Sequence, residues 1–353
     1  RVEFPVDGPP LVMVLDAVLV TGGQGFFGAW IMKDLLGRPE CKRVGLMDLR
    51  PATAILEQVL TKEELARVET HYTDIADAQK VKGVFAAFKP TAVIHLAGMQ
   101  IPLVKAAPDR GASVNVVGTI NVLEALRPAA EAGAPIPLVY ASSAAVLGPA
   151  EDYNTFPVPD DYNHQPRTLY GVTKLANEGS ARIFWQDYKV PSVGLRPLTA
   201  YGVGREVGLT SGPTKAVKAA ILGRSYECPC SGVTGFVYVK DVARIFIESA
   251  VALSKKPGAH VCNIRGLVTG VEDFMAVVQK VFPKASLSIE KGAPSIPICA
   301  DVTEARLEGL LGAEAGSLHT PLEQALREVV TDFKRLQDEE RLHANDLPPA
   351  PKL

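Results

Sequence analysis

The sequence has almost no net charge and no long apolar run. Its 37 basic and 39 acidic side chains leave a formal charge of −2, so electrostatics give no reason to expect a nucleic acid or an anionic membrane as a partner. No run approaches the roughly 20 apolar residues that span a bilayer. The apolar stretch "PPLVMVLDAVLV" near the start is interrupted by Asp16 and is not followed by a signal-peptide pattern. We therefore expect a cytoplasmic protein that binds neither membrane nor nucleic acid.

Cysteines are few, and their spacing lacks a metal-binding pattern. The chain has five of them, Cys41, Cys228, Cys230, Cys262 and Cys299. The closest pair lies in "CPC" at 228–230, and no second cluster accompanies it to complete a zinc site. The odd number and the missing secretory signal favour a reducing compartment. The sequence therefore predicts no metal centre.

What the sequence does have is a regular alternation of apolar runs and helix-like segments. Strands are predicted at "DAVLVTG", "RVGLMDLR", "TAVIHLAG" and "IPLVYASSAAV", and helices at "FFGAWIMKDLLGR", "DAQKVKGVFAAF" and "NVVGTINVLEALRPAAEAG". Uniformly apolar strands separated by helices indicate a parallel sheet covered on both faces. The sequence thus predicts an α/β fold with a doubly wound parallel sheet. After about Pro197 the pattern loosens, apart from a strand and a helix in "GFVYVKDVARIFIESAVAL".

A glycine-rich stretch, "VTGGQGFFGAW", joins the first predicted strand to the first predicted helix. Gly22, Gly25 and Gly28 permit a tight turn, a close backbone approach to a pyrophosphate and tight packing of helix on strand, while the helix N-terminus offers free N–H groups to the phosphates. Asp48 stands 20 residues beyond Gly28, where a carboxylate accepts hydrogen bonds from ribose hydroxyls and repels a 2′-phosphate. The pattern predicts NAD as the cofactor, and the nearby Arg50 leaves NADP as the alternative.

A second pattern, "YGVTK", places a phenol and an ammonium on one helix face. Tyr170 and Lys174 are four residues apart. A phenol with a pKa of about 10 is a poor base, but a neighbouring ammonium and an oxidised nicotinamide favour its phenolate. Upstream, "YASSAAVLG" puts Ser142 and Ser143 at the carboxyl end of a strand, where ligands of open α/β sheets bind. A hydroxyl there would hold a substrate oxygen while the phenolate takes its proton.

These motifs resemble those of a known enzyme family. The glycine pattern, "HLAG", "VNVVGT", "SSAAVLG", "YGVTK" and "LRPLTAYG" occur in the order seen in extended short-chain dehydrogenases/reductases, also called the NAD-dependent epimerase/dehydratase family. The resemblance covers about 14–252, with a weaker remainder. It implies a Rossmann fold in which Tyr170 is the catalytic acid/base and Ser143 the catalytic hydroxyl. Lys174 would lower the pKa of the phenol and hold the nicotinamide ribose.

The resemblance also implies a set of cofactor contacts. Residues 74–75 correspond to the pair that contacts adenine, 96–98 to the loop beneath the cofactor, and 197–198 to the segment that holds the nicotinamide amide. Asn115 would support the central helix, with a purely structural buried role as the alternative, and His95 is expected to be a packed strand-end residue. The implied cofactor-binding residues are Gly22, Gly25, Phe26, Phe27, Gly28, Asp48, Asp74, Ile75, Leu96, Ala97, Gly98, Asn115, Tyr170, Lys174, Pro197 and Leu198.

Two departures from the family pattern bear on the substrate. Nucleotide-sugar members carry an asparagine and an arginine where this sequence has Thr199 and Thr234, and the missing arginine removes a charge partner for a diphosphate. The stretch "PRTLYGVTK" resembles L-threonine dehydrogenases, and the general plan resembles D-erythronate and uronate dehydrogenases. Arg205 and Lys215 could then bind a carboxylate, with solvated loop charges as the alternative. The predicted substrate-binding residues are Ser143, Thr199, Arg205 and Lys215.

Three functions are compatible with this pattern. The first is an NAD-dependent dehydrogenase that oxidises the secondary alcohol of a small hydroxy acid or sugar acid, with Tyr170 as general base. The second is a sugar epimerase that retains its NAD. The third is a non-catalytic NAD(H) sensor, against which the intact Ser143, Tyr170 and Lys174 argue. Ala144 and Ala145 stand where dehydratases often have an acid pair, so dehydration is disfavoured.

The expected organisation is two domains and a tail. Residues 14–197, joined by about 236–263, are predicted to form the NAD-binding domain, and 198–235 with 264–335 a smaller α/β substrate-binding domain. The charged, proline-rich segment 336–353 is predicted to be flexible. The resemblance implies a homodimer in which two helices of each chain pair.

Overall fold

The structure is a computed structural model that describes residues 14–162, 164–314 and 316–348. Its strands are β1 (Ala17–Thr21), β2 (Arg43–Asp48), β3 (Val68–Tyr72), β4 (Ala92–His95), β5 (Leu138–Ala141), β6 (Ser192–Pro197), β7 (Thr199–Tyr201), β8 (Tyr226–Cys228), β9 (Val233–Tyr238), β10 (Ala259–Ile264), β11 (Leu267–Gly270) and β12 (Leu287–Ile289). Its α-helices are α1 (Phe26–Gly37), α2 (Ala54–Val59), α3 (Lys62–Leu65), α4 (Ala78–Phe88), α5 (Ile101–Ala106), α6 (Pro108–Ala112), α7 (Gly118–Glu131), α8 (Leu169–Tyr188), α9 (Gly212–Ile221), α10 (Val239–Lys255), α11 (Val271–Val281), α12 (Ala305–Leu311) and α13 (Leu322–Asp338). A π-helical stretch, Ser113–Val117, leads into α7.

A seven-stranded sheet forms the centre of the molecule. Its strand order is β10-β6-β5-β4-β1-β2-β3, and every neighbouring pair runs parallel. β1, β4 and β5 are apolar over most of their length and buried on both faces, as expected for strands that helices cover on each side. α1 and α10 pack on one face, and α4, α7 and α8 pack on the other. The doubly wound α/β fold predicted from the sequence is confirmed.

Two strands of this sheet carry little sequence signal. β3, "VETHY", lies at the sheet edge and is largely exposed, so its residues form no apolar run. β6, "SVGLRP", is buried throughout, but an arginine and a proline interrupt its apolar residues. Both strands are in place because their main chains pair with the neighbouring strands β2 and β5. Such pairing depends on tertiary position rather than on side-chain pattern.

Two small sheets are built from the chain after Pro197. β9 lies between β7, to which it runs parallel, and β11, to which it runs antiparallel. β8 and β12 form a separate parallel pair. The structure differs here from the sequence prediction, in which 236–263 returns as a unit to the NAD-binding domain. Residues 236–238 belong to β9, whose hydrogen-bonding partners are β7 and β11, and α10 and β10 alone join the large sheet.

The segment after α13 is packed, in contrast to the flexible tail predicted for 336–353. Leu347 is buried, and Nζ of Lys218 on α9 lies 2.6 Å from the carboxylate of Asp346. The charged, proline-rich composition concealed these contacts because they are made with distant parts of the chain. Residues 349–353 lie outside the described part of the structure.

Neither a membrane-spanning helix nor a metal cluster is found in the described part of the chain. None of its helices is both long and apolar enough to cross a bilayer. Within the same residues, no group of three or more His, Cys, Asp or Glu side chains is arranged to hold a metal ion. The five cysteines are free thiols, and each is buried.

Candidate active site

The glycine-rich turn lies between β1 and α1, against the chain that leaves β4. Gly22 has a φ of +68°, a region that favours glycine, and a Cβ there would lie 2.6 Å from the nitrogen of Ala97. A Cβ on Gly28 would lie 2.5 Å from the Cα of Gly23, so the first turn of α1 packs directly on the loop. These contacts confirm the tight turn and the close packing that the glycine spacing predicts.

The mouth of this turn fits a diphosphate. α1 begins after Gly25, a residue with no side chain to cap the helix, so the first N–H groups of the helix stay available to an anion. The nearest atom to a Cβ on Gly25 would be the carbonyl oxygen of Gly22, at 3.3 Å, and the space in front of the turn is otherwise open. A phosphate placed there would meet N–H groups and the positive end of the helix dipole.

Asp48 borders the turn from the end of β2. Its carboxylate accepts hydrogen bonds from the backbone nitrogens of Gln24, at 3.2 Å, and Leu49, at 2.8 Å. The side chain of Asp48 is half-buried, whereas Arg50 is exposed. The structure therefore puts a carboxylate beside the glycine turn, at the position where the sequence pattern predicts the ribose hydroxyls.

The other predicted cofactor residues are spread along the carboxyl ends of the parallel strands, the edge at which open α/β sheets bind ligands. Leu96 and Pro197 lie at the ends of β4 and β6, and Leu198 packs half-buried in the link from β6 to β7. Phe26 and Phe27 begin α1, with their ring centres 5.3 Å apart. These residues come from distant parts of the chain and meet at one edge of the sheet.

Residues 74–75 tie the loop after β3 to two helices. Asp74 accepts from the nitrogen of Ala76 at 2.9 Å and pairs with Arg110 on α6 at 2.6 Å. Burial opposes ionisation, but these two partners lower the pKa of Asp74. Ile75 packs against Gly118, where a Cβ would lie 2.8 Å from the Cγ2 of Ile75. No motif in the sequence pointed to Arg110 as the partner of this carboxylate.

Asn115 holds the loop that follows β4. Its Oδ1 accepts from the nitrogen of Met99 at 2.7 Å, and its Nδ2 donates to the carbonyl of Met99 and to Oγ1 of Thr173, both at 3.1 Å. The side chain is 1% exposed, and these contacts use its amide fully. Residues 96–97 stay half-buried, and Gly98 is exposed. Asn115 thus has the buried structural position that the sequence left open, and it fixes this loop relative to α8.

His95 is a packed strand-end residue, as predicted. Its Nδ1 lies 2.6 Å from Oγ1 of Thr21, and its Nε2 lies 3.0 Å from Oγ1 of Thr119. Burial, and to a smaller extent the ammonium of Lys174, lower the pKa of His95 to about 3. The imidazole is therefore neutral and joins β1, β4 and α7.

Ser143 and Tyr170 meet where β5 ends and α8 begins. Thr168 caps α8 by accepting a hydrogen bond from the nitrogen of Gly171 at 3.0 Å. Gly171 packs so closely on the loop after β5 that a Cβ there would collide with the carbonyl oxygen of Ala145. Because this position has no side chain, the first turn of α8 brings the Tyr170 phenol to the Ser143 hydroxyl.

The predicted catalytic set, formed by Ser143, Tyr170 and Lys174, is only partly open to solvent. Ser143 and Tyr170 are half-buried, and Lys174 is buried with its Nζ 5.5 Å from the centre of the Tyr170 ring. Burial raises the pKa of the Tyr170 phenol, while the Ser143 hydroxyl and the charge of Arg205 act in the opposite direction. Burial is thus the largest influence on this phenol in the protein without cofactor. Burial also lowers the pKa of Lys174 to about 8.

Arg205 faces the catalytic pair from the loop after β7. Its Nη2 donates to Oγ1 of Thr210 at 2.8 Å, and its guanidinium carbon lies 5.9 Å from the centre of the Phe26 ring. Its Nε is buried without a hydrogen-bond partner among the described residues. Burial lowers its pKa, and the effect that opposes burial comes from Tyr170 rather than from a carboxylate. The structure therefore places near the phenol a guanidinium with one buried N–H that has no partner among the described residues.

The other predicted substrate-binding residues are placed differently. Thr199 on β7 and Thr234 on β9 are buried with their hydroxyl oxygens 2.8 Å apart, so each satisfies the other. Lys215 on α9 lines a small cleft with Arg205, and Asp346 from the C-terminal segment lines the same cleft. The structure thus brings Arg205 to the catalytic pair and places Lys215 behind it.

A buried ion pair behind the predicted catalytic set joins two residues to which the sequence analysis gave no role, although one of them, Arg196, lies in the motif "LRPLTAYG". Glu178 on α8 and Arg196 on β6 lie 2.6 Å apart between Nη2 and Oε2. Two features of the sequence could have revealed it: an arginine inside the apolar run "SVGLRP", and a glutamate one helical turn after Lys174. Buried charges at such positions need a partner.

Comparisons with known proteins agree with this geometry. The sequence matches the NAD dependent epimerase/dehydratase family over residues 18–264. It is 30% identical over 236 residues to a UDP-glucose 4-epimerase of Mycolicibacterium smegmatis, covering 65% of this chain and 72% of that protein. The family match over residues 18–264 contains the glycine turn, Asp48, and the Ser143, Tyr170 and Lys174 set.

Solved structures share the fold at low identity. An L-threonine dehydrogenase from Cupriavidus necator superimposes with a TM-score of 0.75 at 20% identity, covering 90% of this chain and 99% of that one. A UDP-glucose 4-epimerase from Thermotoga maritima gives 0.71 at 22% identity, covering 91% and 99%. These likenesses show the fold and leave the reaction open. Sequence match, fold and site geometry together show that the chain belongs to the NAD dependent epimerase/dehydratase family, with NAD as its cofactor.

Proposed function

We propose that the protein is an NAD-dependent dehydrogenase that oxidises the secondary alcohol of a small hydroxy acid or sugar acid. The observation that supports this is Arg205, whose guanidinium lies beside Tyr170 with its Nε unpartnered among the described residues. A substrate carboxylate would supply the missing partner. Pairing of a planar guanidinium with a carboxylate also orients the substrate, because two parallel hydrogen bonds fix the plane of both groups.

The residues of the set divide the reaction among them. The Ser143 hydroxyl holds the substrate oxygen, and Tyr170, as phenolate, accepts the proton of the alcohol. The Lys174 ammonium favours that phenolate. NAD, when bound, supplies the acceptor for the hydride that leaves the carbon bearing the alcohol. The products are the ketone, NADH and the proton that Tyr170 has taken.

The pair formed by Thr199 and Thr234 supports a substrate without a diphosphate. The two hydroxyls lie 2.8 Å apart and are buried, so neither is directed at a ligand. A nucleotide sugar would bring two phosphate charges, which proteins commonly bind with arginine. The hydroxyl pair offers no positive charge for that purpose.

An epimerase is the second candidate, because a UDP-glucose 4-epimerase is among the most similar relatives in sequence. In that reaction the hydride is returned to the substrate and no net NADH appears. Arg205 would then bind a phosphate instead of a carboxylate. A non-catalytic NAD(H) sensor is disfavoured because Ser143, Tyr170 and Lys174 are all present and close together.

The test is NADH formation by the purified protein with NAD and a panel of substrates. The panel holds L-threonine, small aldonates, uronates and simple secondary alcohols, and UDP-sugars are assayed separately for epimerised product. We expect one equivalent of NADH per acid oxidised, and a loss of roughly 10²–10⁴-fold in Tyr170→Phe. Arg205→Met should raise KM more than it lowers kcat, and Lys215→Met should change both less. Epimerised UDP-sugar with retained NAD, and no NADH from the panel, would overturn the proposal.

We also propose a homodimer that pairs through α7 and α8. The exposed sides of these helices carry apolar residues: Val117, just before α7, is 45% exposed, and Val172 and Ile183 on α8 are 49% and 41% exposed. A second copy would cover them. Light scattering should give twice the mass of the chain for the wild type and the single-chain mass for Val172→Glu/Ile183→Glu; a monomeric wild type would contradict the proposal.

A further inference from the structure

Behind the catalytic set, Glu178 and Arg196 form an ion pair that is closed off from solvent. Their side chains are 7% and 2% exposed. The guanidinium reaches both carboxylate oxygens, with Nε to Oε1 at 2.7 Å and Nη2 to Oε2 at 2.6 Å. Its Nη1 donates to the carbonyl of Asp160 at 2.8 Å, and the hydroxyl of Ser142 donates to Oε1 of Glu178. The carboxylate is therefore shared by two donors, and every guanidinium nitrogen has a partner.

This pair lies next to both halves of the predicted catalytic set without contacting it directly. Ser142 is the chain neighbour of Ser143 at the end of β5, and Glu178 lies one turn beyond Lys174 on α8. The Nζ of Lys174 donates to the carbonyl of Ala141 at the same strand end, at 2.7 Å. The carboxylate of Glu178 thus links α8, β5 and β6 at the point where the catalytic side chains leave them.

The charged and titratable groups around Lys174 come from three elements. On α8 itself are the phenol of Tyr170 and the carboxylate of Glu178, while β4 contributes His95 and β6 contributes Arg196. His95 is neutral because burial lowers its pKa to about 3. Burial lowers the pKa of Lys174 to about 8, and the charge of Glu178 acts against that loss. Glu178 is the anion that offsets the burial of the ammonium.

A purely stabilising role is a poor explanation for this pair. Removing two charges from water costs free energy that their attraction often only offsets, and well-packed neutral side chains are frequently as stable. A charge one helical turn from an ammonium, by contrast, acts directly on its proton equilibrium. We propose that Glu178, held by Arg196, is a positioning residue that keeps the ammonium of Lys174 charged and fixed beside Tyr170. The catalytic consequence of this role rests on the proposed function, whereas the charge state of Lys174 does not.

The charge state is measured by NMR titration of Lys174 in protein labelled with lysine that carries carbon-13 at Cε. Lys174→Met identifies the signal. Glu178→Gln keeps the shape of the side chain and removes its charge, so we expect the midpoint of the Lys174 titration to fall by about one pH unit. An unchanged midpoint in the folded variant overturns the proposal.

Glu178→Gln leaves Arg196 charged and buried, which endangers folding. The double variant Glu178→Gln/Arg196→Gln removes both charges and supplies the measurement if the single variant does not fold. Its midpoint should also fall, by less than in the single variant, because a cation is removed together with the anion. A wild-type midpoint in the double variant would likewise overturn the proposal.

Asp241→Asn is the matched control. Asp241 is a buried carboxylate, 4% exposed, that accepts from the hydroxyl of Thr320 at 2.9 Å and from Arg244 at 3.2 Å. Like Glu178, Asp241 is a buried carboxylate that accepts from one hydroxyl and one guanidinium, but it lies on α10, away from the predicted catalytic set. We expect its loss to lower the unfolding temperature and to leave the Lys174 midpoint unchanged. An equal shift in this variant would mean that the effect is not specific to Glu178, and would refute the proposal.

The catalytic consequence is read from the pH dependence of kcat. In Glu178→Gln the alkaline limb should move to lower pH, with KM within about twofold of wild type, because the ammonium loses its proton earlier. Asp241→Asn should keep the wild-type profile. A shifted Lys174 midpoint with an unmoved alkaline limb would refute the catalytic part. Failure to form NADH from any substrate would count against the proposed function alone, since the NMR titration needs no substrate.

Discussion

The glycine turn and the predicted catalytic set each depend on a glycine that makes a close contact, but the two contacts differ in the sequence separation of the residues that they join. Gly28 packs on Gly23, five residues away, whereas Gly171 packs on Ala145, 26 residues away. The first contact is part of a local spacing that the sequence displays. The second exists only because β5 and α8 are neighbours in the fold. A local steric requirement can thus be recognised in a sequence, while a distant one is hidden there.

The largest effect is expected from Gly171→Ala. The added methyl collides with the Ala145 carbonyl and displaces the first turn of α8, and a displacement of about 1 Å at a catalytic group costs roughly 100-fold in rate. Gly179→Ala lies on the same helix with open space around it, and should keep its activity and gain up to about 1 kcal/mol in stability. Steady-state NADH formation compares the two. Equal rates would show that the close contact has no role in catalysis.

Gly22→Ala should weaken cofactor binding. The positive φ and the 2.6 Å approach to the Ala97 nitrogen leave no room for a methyl, and we expect a loss of about 1–3 kcal/mol in unfolding free energy with about a tenfold rise in the Kd of NAD. Calorimetric titration and thermal unfolding give both values. Gly37→Ala, at the open end of α1, is the control and should leave the Kd unchanged. An equal rise of the Kd in Gly22→Ala and Gly37→Ala would show that the close contact at Gly22 has no specific role in NAD binding.

Lys174 should make the stability of the protein depend on pH. Burial lowers its pKa in the folded chain to about 8 from its ordinary value of 10.5, so the unfolded chain binds more protons between these values and stability rises with pH across that window. The contribution is fully present above pH 10.5 and is lost as the pH falls through about 8. Between pH 8 and 9.5 the rise should be about 2 kcal/mol and should be missing in Lys174→Met. Denaturant unfolding at pH 8 and pH 9.5 measures the change in unfolding free energy. An equal change in the wild type and in Lys174→Met would contradict the prediction.

The smallest effect is expected from Asp74→Asn. The ion pair with Arg110 is partly exposed, with side chains 32% and 41% accessible, and such pairs contribute about 1 kcal/mol or less. The amide keeps the shape of the side chain and can still accept from Ala76. Unfolding free energy should fall by no more than that amount, and the Kd of NAD should change by less than about threefold. A change as large as that of Gly22→Ala would place Asp74 among the main cofactor contacts.

The parts of the fold that were predicted share a local cause. β1, β4 and β5 are apolar over most of their length, and the helices between them show apolar residues at helical spacing. β3 is polar because it lies at a sheet edge. Residues 236–238 were expected with the NAD-binding domain, but they pair within β9 with β7 and β11, and that pairing leaves no trace in their own side chains. The packing of Leu347 was missed for the same reason.

The candidate site divides in the same way. Gly22, Tyr170 and Lys174 were predicted because each belongs to a short motif with a chemical meaning, and Asp48 because it stands 20 residues beyond Gly28. The pairing of Thr199 with Thr234 and the position of Arg205 beside Tyr170 were beyond prediction, since each joins segments that meet only in the folded chain. The distinction between Arg205 and Lys215 as candidate anion-binding residues comes from that folding as well.

The sequence by itself determined the doubly wound sheet, the glycine turn and the choice of Ser143, Tyr170 and Lys174 as the proposed catalytic side chains, because periodicity, glycine spacing and a helical i to i+4 relation act over a few residues. The tertiary structure alone decided which groups set the charges of those side chains. Burial controls the pKa of Tyr170 and Lys174. Arg205 acts on Tyr170 from the loop after β7, and Arg196 on β6 holds Glu178, which acts on Lys174 from the same helix. Electrostatic interactions depend on the distance between groups in space and on their removal from water, and neither quantity can be read from the order of residues along the chain.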